Sequence, residues 1–255
     1  MNWTDCRKEI EARNAPFHPN APANDFHNSL LISPKHEYVF ANNPKVACST
    51  IRKLLIDAEF GVVKPYAERA STLYFKEFLP FLNVWQIGNF AEWINTEGLY
   101  KFCFVRHPYT RLLSGYLDKV VRSKHEKNNI LEAMGKADQP DLDISFDSFV
   151  RVVCDMPIIK QDHHWRVQYY QTFQAGINYS FVGRFEQLEA DLRTVAEQIG
   201  ISQFITPETF GQAGQNSRQH ATNAGGLIRQ YYTPALKRLV QQCFEKDFEY
   251  FGYGE

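Results

Sequence analysis

This sequence predicts an α/β domain, a P-loop-like open parallel sheet flanked by helices, on three observations. Its short apolar runs do not alternate with polar residues, the pattern of strands buried on both faces. Amphipathic helical segments separate those runs, which implies parallel strands joined by helical crossovers. The 255 residues are 44% hydrophobic and 15% aromatic, enough core for one domain.

Residues 1–35, rich in Asn, Pro and Ala, read as an irregular N-terminal arm, and residues 36–255 as the single domain. The first strand is Tyr38–Ala41. A turn from Asn42 leads into a helix whose Ile51, Leu54, Leu55 and Ala58 recur at i, i+3, i+4 and i+7, with Ser49 or Thr50 as its cap. The second unit is a strand over Tyr100–Val105, then Arg106, His107 and Pro108, then a helix through Leu112, Leu113, Tyr116 and Val120. Proline suits a first helical turn, where its missing N–H costs nothing. In the third unit a strand over 179–183 precedes a helix with Leu188, Leu192, Val195, Ala196 and Ile199, stopped by Gly200. A C-terminal helix follows, capped by Thr233, with Pro234 in its first turn and Leu236, Leu239, Val240, Cys243 and Phe244 on one face. Residues 131–143 read as a surface loop.

Composition excludes several classes of function. Lys and Arg total 28 against 29 Asp and Glu, a net charge of −1, which argues against a nucleic-acid partner. A charged fraction of 22% with so many aromatics excludes a disordered chain. No apolar stretch approaches the roughly 20 residues of a transmembrane segment, and the polar, proline-punctuated N-terminus lacks the apolar run of a signal peptide. The five cysteines, Cys6, Cys48, Cys103, Cys154 and Cys243, are far apart and form no CxxC pair. That pattern points to no metal site built on cysteine and to a reduced, cytoplasmic-type protein, with a soluble fragment of a secretory-pathway enzyme as the alternative.

Ligands of open parallel sheets sit at the carboxyl ends of the strands. Asn43, Pro44, Lys45, Val46, Ala47, Cys48, Ser49 and Thr50 fall at that place, between strand and helix. A helix N-terminus offers N–H groups and partial positive charge to a tetrahedral anion. Lys45 adds a full charge, and Ser49 and Thr50 add hydroxyls. The loop is not the GxxxxGK[ST] of nucleotide kinases, because the lysine precedes the turn and glycine is absent. Nor does an acidic neighbour stand ready for a magnesium ion. Taken alone, the segment fits a plain strand–loop–helix corner equally well. A second candidate grip is Arg106 at a strand end with Ser114 eight residues on, guanidinium and hydroxyl facing one crevice. Read blandly, these two are a surface cation and an ordinary helix residue.

Together, PKVACSTIRKLL and FVRHPYTRLLSGYLDK resemble the two cofactor-binding motifs of the carbohydrate sulfotransferases, the group that contains the chondroitin and HNK-1 enzymes and their bacterial relatives. FVGRFEQLEADL and the ending YYTPALKRLVQQCFEKDFEYFGY are similar to that family too, so the likeness runs from about Glu37 to Tyr253. The resemblance implies the sulfotransferase fold, 3′-phosphoadenosine 5′-phosphosulfate as sulfuryl donor, no metal, and transfer to a hydroxyl of a glycan or other acceptor. It places the 5′-phosphosulfate on Lys45, Val46, Ala47, Cys48, Ser49 and Thr50, and the 3′-phosphate on Arg106 and Ser114. Phe185 falls near the adenine or in the core.

Several members of the family carry a histidine just before the arginine-bearing strand, but residues 84–93 contain none. The alternative base is His164, in a stretch that resembles the Asp-x-His-Trp motif of the chondroitin-type branch. There Asp162 orients His164, Trp165 stacks on a sugar and Arg166 meets an acidic substituent; otherwise the histidines are polar residues at a helix start, with Trp165 in the core. The aromatics Tyr66, Tyr74, Phe75, Phe78, Phe81, Trp85, Phe90, Trp93 and Tyr100 line a sugar groove or fill the core. Two rival readings stand beside the sulfotransferase: a nucleotide-dependent phosphotransferase, and a non-catalytic glycan- or nucleotide-binding module.

Overall fold

The computed structural model describes residues 8–9, 12–61, 81–82, 84–87, 89–124, 126–210 and 223–254. Cys6, Tyr66, Tyr74, Phe75, Phe78 and the side chain of Trp85 lie outside what is described. Four strands, β1 (Leu30–Ser33), β2 (Tyr38–Ala41), β3 (Tyr100–Val105) and β4 (Phe181–Arg184), form one sheet in the order β1-β2-β3-β4. The strands β2, β3 and β4 are parallel, as the unbroken apolar runs predict, with Phe40 opposite Phe102 and Cys103 opposite Val182. Around the sheet lie α1 (Ala23–Ser29), α2 (Cys48–Phe60), α3 (Phe90–Trp93), α4 (Pro108–Gly115), α5 (Lys127–Ala133), α6 (Phe146–Asp155), α7 (Gln168–Gln171), α8 (Leu188–Gln198), α9 (Ala224–Tyr231), α10 (Pro234–Cys243) and α11 (Glu245–Phe251). A π-helical stretch, Tyr116–Arg122, continues α4.

Both sheet faces are covered. Tyr38, Phe40, Phe102 and Phe104 pack on one side against Ile51, Leu54, Leu55 and Ala58 of α2 and Leu192, Val195 and Ala196 of α8. Val39, Ala41 and Cys103 face the other way, towards Phe26, Phe90 and Phe173. A third cluster, around Leu112, Leu113, Tyr116, Phe149, Trp165, Leu236 and Val240, joins α4, α6 and α10 into a helical lobe beside the sheet.

The arm expected to be irregular departs from that reading. Residues 23–33 form α1 and β1, and β1 adds an antiparallel edge strand with Leu31 opposite Phe40. Phe17, Phe26, Leu30 and Ile32 are buried there. A four-residue strand that follows Ser29 and ends in Ser33 carries too little periodic signal, and its stability comes from pairing with β2.

Of the two caps expected from the sequence, that of α10 is found and that of α2 is not. Thr233 Oγ1 accepts from Leu236 N at 3.2 Å to open α10, and His107 Nδ1 accepts from Tyr109 N at 3.4 Å ahead of Pro108. α2 differs: it begins at Cys48, its N-cap is Ala47 in the left-handed region, and no side chain caps it. Ser49 and Thr50 lie inside the first turn instead. No helix among the described residues is long and apolar enough to cross a membrane.

Candidate active site

The loop from β2 to α2 is held open by an unusual backbone. Lys45 (φ 70°) and Ala47 (φ 52°) both adopt the left-handed conformation, on either side of the buried Val46. Each such residue costs about 1–2 kcal/mol when it is not glycine. Left-handed residues of this kind curl backbone N–H groups towards a common concavity, the geometry of anion-binding nests. This is the strain on which a functional reading can start.

Lys45 Nζ lies 2.8 Å from Asp118 Oδ2, and the two side chains are 9% and 4% exposed. Lys119 Nζ stands 3.5 Å from the same oxygen. Burial lowers the pKa of Lys45, while Asp118 pulls it back up. An acidic side chain therefore stands beside the loop, held by two ammonium groups. Its signal was present: Arg111, Ser114 and Asp118 are spaced by three and four, a polar stripe on one helical face.

Arg106 follows β3 and is almost fully buried. Its Nη1 donates to Lys45 O at 3.1 Å and its Nε to Thr110 Oγ1 at 3.0 Å. The guanidinium lies 4.1 Å from the ring centroid of Phe185, so that phenylalanine faces the arginine and is only partly buried. Burial brings the Arg106 pKa down to about 10 against the pull of Glu186, and it stays cationic at neutral pH. Ser114 is buried near the end of α4.

Gln168 joins the two loops. Its Oε1 accepts from Asn43 Nδ2 at 3.0 Å and from Arg106 N at 2.9 Å. Its Nε2 donates to Arg106 O at 2.8 Å and Asp247 Oδ2 at 3.2 Å. Asn43 also reaches Phe104 O, so the ends of β2 and β3 and the start of α7 share one buried network. Sequence reasoning missed Gln168 because its partners lie more than 60 residues away. Gln168→Leu strands several buried polar groups at once, and urea unfolding is expected to show a loss of about 3 kcal/mol.

His164 is paired with Asp162, as the motif suggested. Its Nδ1 is 2.6 Å from Asp162 Oδ1, which also accepts from His164 N at 2.9 Å. Burial lowers the His164 pKa to about 4; Asp162 opposes this and Lys119 adds to it. The ring is therefore neutral at pH 7. For Asp162 burial acts upwards, but the His164 hydrogen bond and nearby His163 outweigh it and hold the carboxyl below its usual range.

The fully buried Arg111 fastens this corner to the anion loop. It donates from Nε to Pro44 O at 3.1 Å, from Nη1 to Arg166 O at 2.7 Å and from Nη2 to His163 O at 2.9 Å. α4 packs close to the same corner, since a Cβ added at Gly115 would lie 3.2 Å from His164 O. Lys45, Asp118, Lys119 and His164 thus form one electrostatically connected set.

Trp165 and Arg166 do not take the positions expected of sugar contacts. Trp165 is 1% exposed and meets Phe149 edge-on in the helical lobe. Arg166 Nη1 reaches Asp25 Oδ2 at 2.7 Å and Gln171 Oε1 at 2.9 Å, and its Nη2 reaches Gln161 O at 2.6 Å. A tryptophan beside apolar helices and a guanidinium with this many local acceptors gain more from burial than from solvent. Asp162, His163 and His164 offer three ligand atoms within 4.8 Å of one another, the one potential metal-binding group among the described residues, but His164 Nδ1 is already engaged with Asp162.

A family model described as "Sulfotransferase family" matches residues 28–254. The chain is 24% identical to "Carbohydrate sulfotransferase 11" of Mus musculus over 88% of its own length and 66% of that protein's. It is 26% identical to "Carbohydrate sulfotransferase 10" of Xenopus laevis, over 89% and 67% of the two chains. With "Carbohydrate sulfotransferase 14" of Danio rerio the identity is 28%, over 88% and 62%. The chain thus spans about two thirds, or slightly less, of the length of these curated relatives. No solved structure matches it significantly.

Proposed function

The chain belongs to the sulfotransferase family, and from that premise we propose that it transfers a sulfuryl group from 3′-phosphoadenosine 5′-phosphosulfate to a hydroxyl of a carbohydrate. The observation that carries this reading is the contact between its two anion loops, where the Arg106 guanidinium hydrogen-bonds the carbonyl of Lys45. Two buried cations on neighbouring strand ends suit a nucleotide with two anionic ends. The left-handed residues at the α2 N-terminus add backbone donors of the same sign.

The donor supplies the sulfuryl group and a phosphate that departs with negative charge. Lys45 and the amides from Val46 to Thr50 would hold that phosphate, and preorganised donors at a developing charge are the largest usual contribution to catalysis. Arg106 and Ser114 would hold the 3′-phosphate. Neutral His164, oriented by Asp162, would accept the proton of the acceptor hydroxyl. The names of the relatives support a glycan as acceptor. A magnesium-dependent phosphotransferase is disfavoured, because Asp118 lies between two ammonium groups rather than facing an open cation site.

Incubation with labelled donor and a panel of neutral and acidic glycans, with and without EDTA, tests the proposal. Label transferred to a glycan in both conditions is the expected result. Transfer that disappears with EDTA, or nucleotide binding without transfer to any acceptor, would contradict it.

A further inference from the structure

Asp118 does what no donor contact requires. It places a buried carboxylate inside a pocket that otherwise gathers positive charge, within 2.8 Å of the lysine that should meet the anion. We infer that Asp118 is a positioning residue that holds Lys45 before the nucleotide binds and passes it to the incoming phosphate, with Lys119 then pairing Asp118. The inference rests on the reading that Lys45 contacts the donor.

Three observations carry it. An aliphatic chain ending in an ammonium has many rotamers, and a 2.8 Å ion pair at 9% exposure selects one of them. A buried carboxylate that loses its partner is costly, commonly about 3–5 kcal/mol, so a plain exchange of Lys45 from Asp118 to an anion would be opposed. Lys119 Nζ already lies 3.5 Å from the same oxygen and is itself 21% exposed, close enough to become the partner when Lys45 turns away. Both residues belong to the π-helical stretch Tyr116–Arg122, a geometry often found at functional sites.

The exchange has a signature in pH that a merely structural carboxylate lacks. The charged or titratable groups around Lys45 are Asp118 and Lys119 from the π-helical stretch and Cys48 from the first turn of α2. Arg106 adds its hydrogen bond to the Lys45 carbonyl, and Lys119 acts electrostatically on His164 as well. Among them Asp118 is the strongest influence that keeps Lys45 charged, acting against desolvation.

The test is calorimetric binding of 3′,5′-adenosine bisphosphate between pH 6.5 and 9.5 by the wild-type protein, Asp118→Asn and Asp118→Glu. In Asp118→Asn, affinity should begin to fall at a lower pH than in wild type, so that at the alkaline end of the range the variant binds more weakly than wild type. Asp118→Glu should restore the wild-type profile. A wild-type profile in Asp118→Asn overturns the inference. Should that variant fail to fold, Lys119→Met carries the test: binding about tenfold weaker, with an unchanged melting temperature of the free protein, supports the exchange, and unchanged affinity overturns it. Wild-type protein that ignores the nucleotide at every pH would overturn the donor-site reading, and this inference with it; Asp118→Asn behaving as wild type would leave the donor site standing.

Discussion

Lys45→Ala is expected to lower kcat by on the order of 10² to 10³, the usual effect of removing one preorganised donor from a developing negative charge. The lysine side chain is almost fully buried beside Asp118, so a mobile cation from solvent does not reproduce its fixed position. After its removal Lys119 Nζ, 3.5 Å from the same Asp118 oxygen, still offers an ionic partner. Some loss of stability should therefore accompany the loss of turnover, below the full penalty for an orphaned buried charge. Lys45→Arg separates the two effects: it keeps a charge for Asp118 but presents a planar fork where a compact ammonium stood. We expect it to recover most of the stability and little of the rate. Steady-state kinetics beside thermal unfolding measures both, and a folded Lys45→Ala protein with unchanged kcat would remove Lys45 from the mechanism.

His164→Ala is expected to cost on the order of 10² to 10⁴ in kcat, the range for a positioned proton acceptor. The wild-type pH profile gives an independent check. Because burial takes His164 down to about 4, the imidazole of the free protein stays neutral well below the ordinary histidine range. The acid limb of kcat/KM should then be flat from neutrality to about pH 5, where an unperturbed histidine would already have lost most activity. The same shift acts on folding. A group whose folded pKa lies below its unfolded value contributes stability that is complete above the unfolded pKa, near 6.5, and is lost as pH falls towards 4. A kcat/KM limb that breaks near 6.5, or His164→Ala with wild-type kcat, would place the proton acceptor elsewhere.

Much of this architecture was legible in local pattern. β2 and β3 coincide with the apolar runs Tyr38–Ala41 and Tyr100–Val105, because strands buried on both faces need no alternation to betray them. β4 starts two residues later than the run that begins at Tyr179. There Tyr179 turns its hydroxyl to Thr172 O instead, a contact from outside the strand that no strand pattern encodes. β1 was illegible because its four residues are stabilised by β2 rather than by their own period.

In the site, the loop around Lys45 was visible as a strand-to-helix turn, whereas its two left-handed residues were not, since neither is the glycine that usually marks that conformation. His164 with Asp162 was visible as two residues of one short motif. Arg111 and Gln168 were not, because what makes them matter is the set of main-chain and side-chain groups they join across 52 to 79 residues of sequence. Trp165 and Arg166 show the opposite error. Types that favour a sugar contact equally favour burial, and Phe149, Asp25 and Gln171 decide between the two.

One measurement bears most directly on all of this: a crystal structure of the protein with 3′,5′-adenosine bisphosphate. One nucleotide is expected across the ends of β2 and β3, its 5′-phosphate at Lys45 and the α2 N-terminus and its 3′-phosphate on Arg106 and Ser114. A nucleotide bound away from those strand ends, or one whose phosphates touch neither Lys45 nor Arg106, would contradict it.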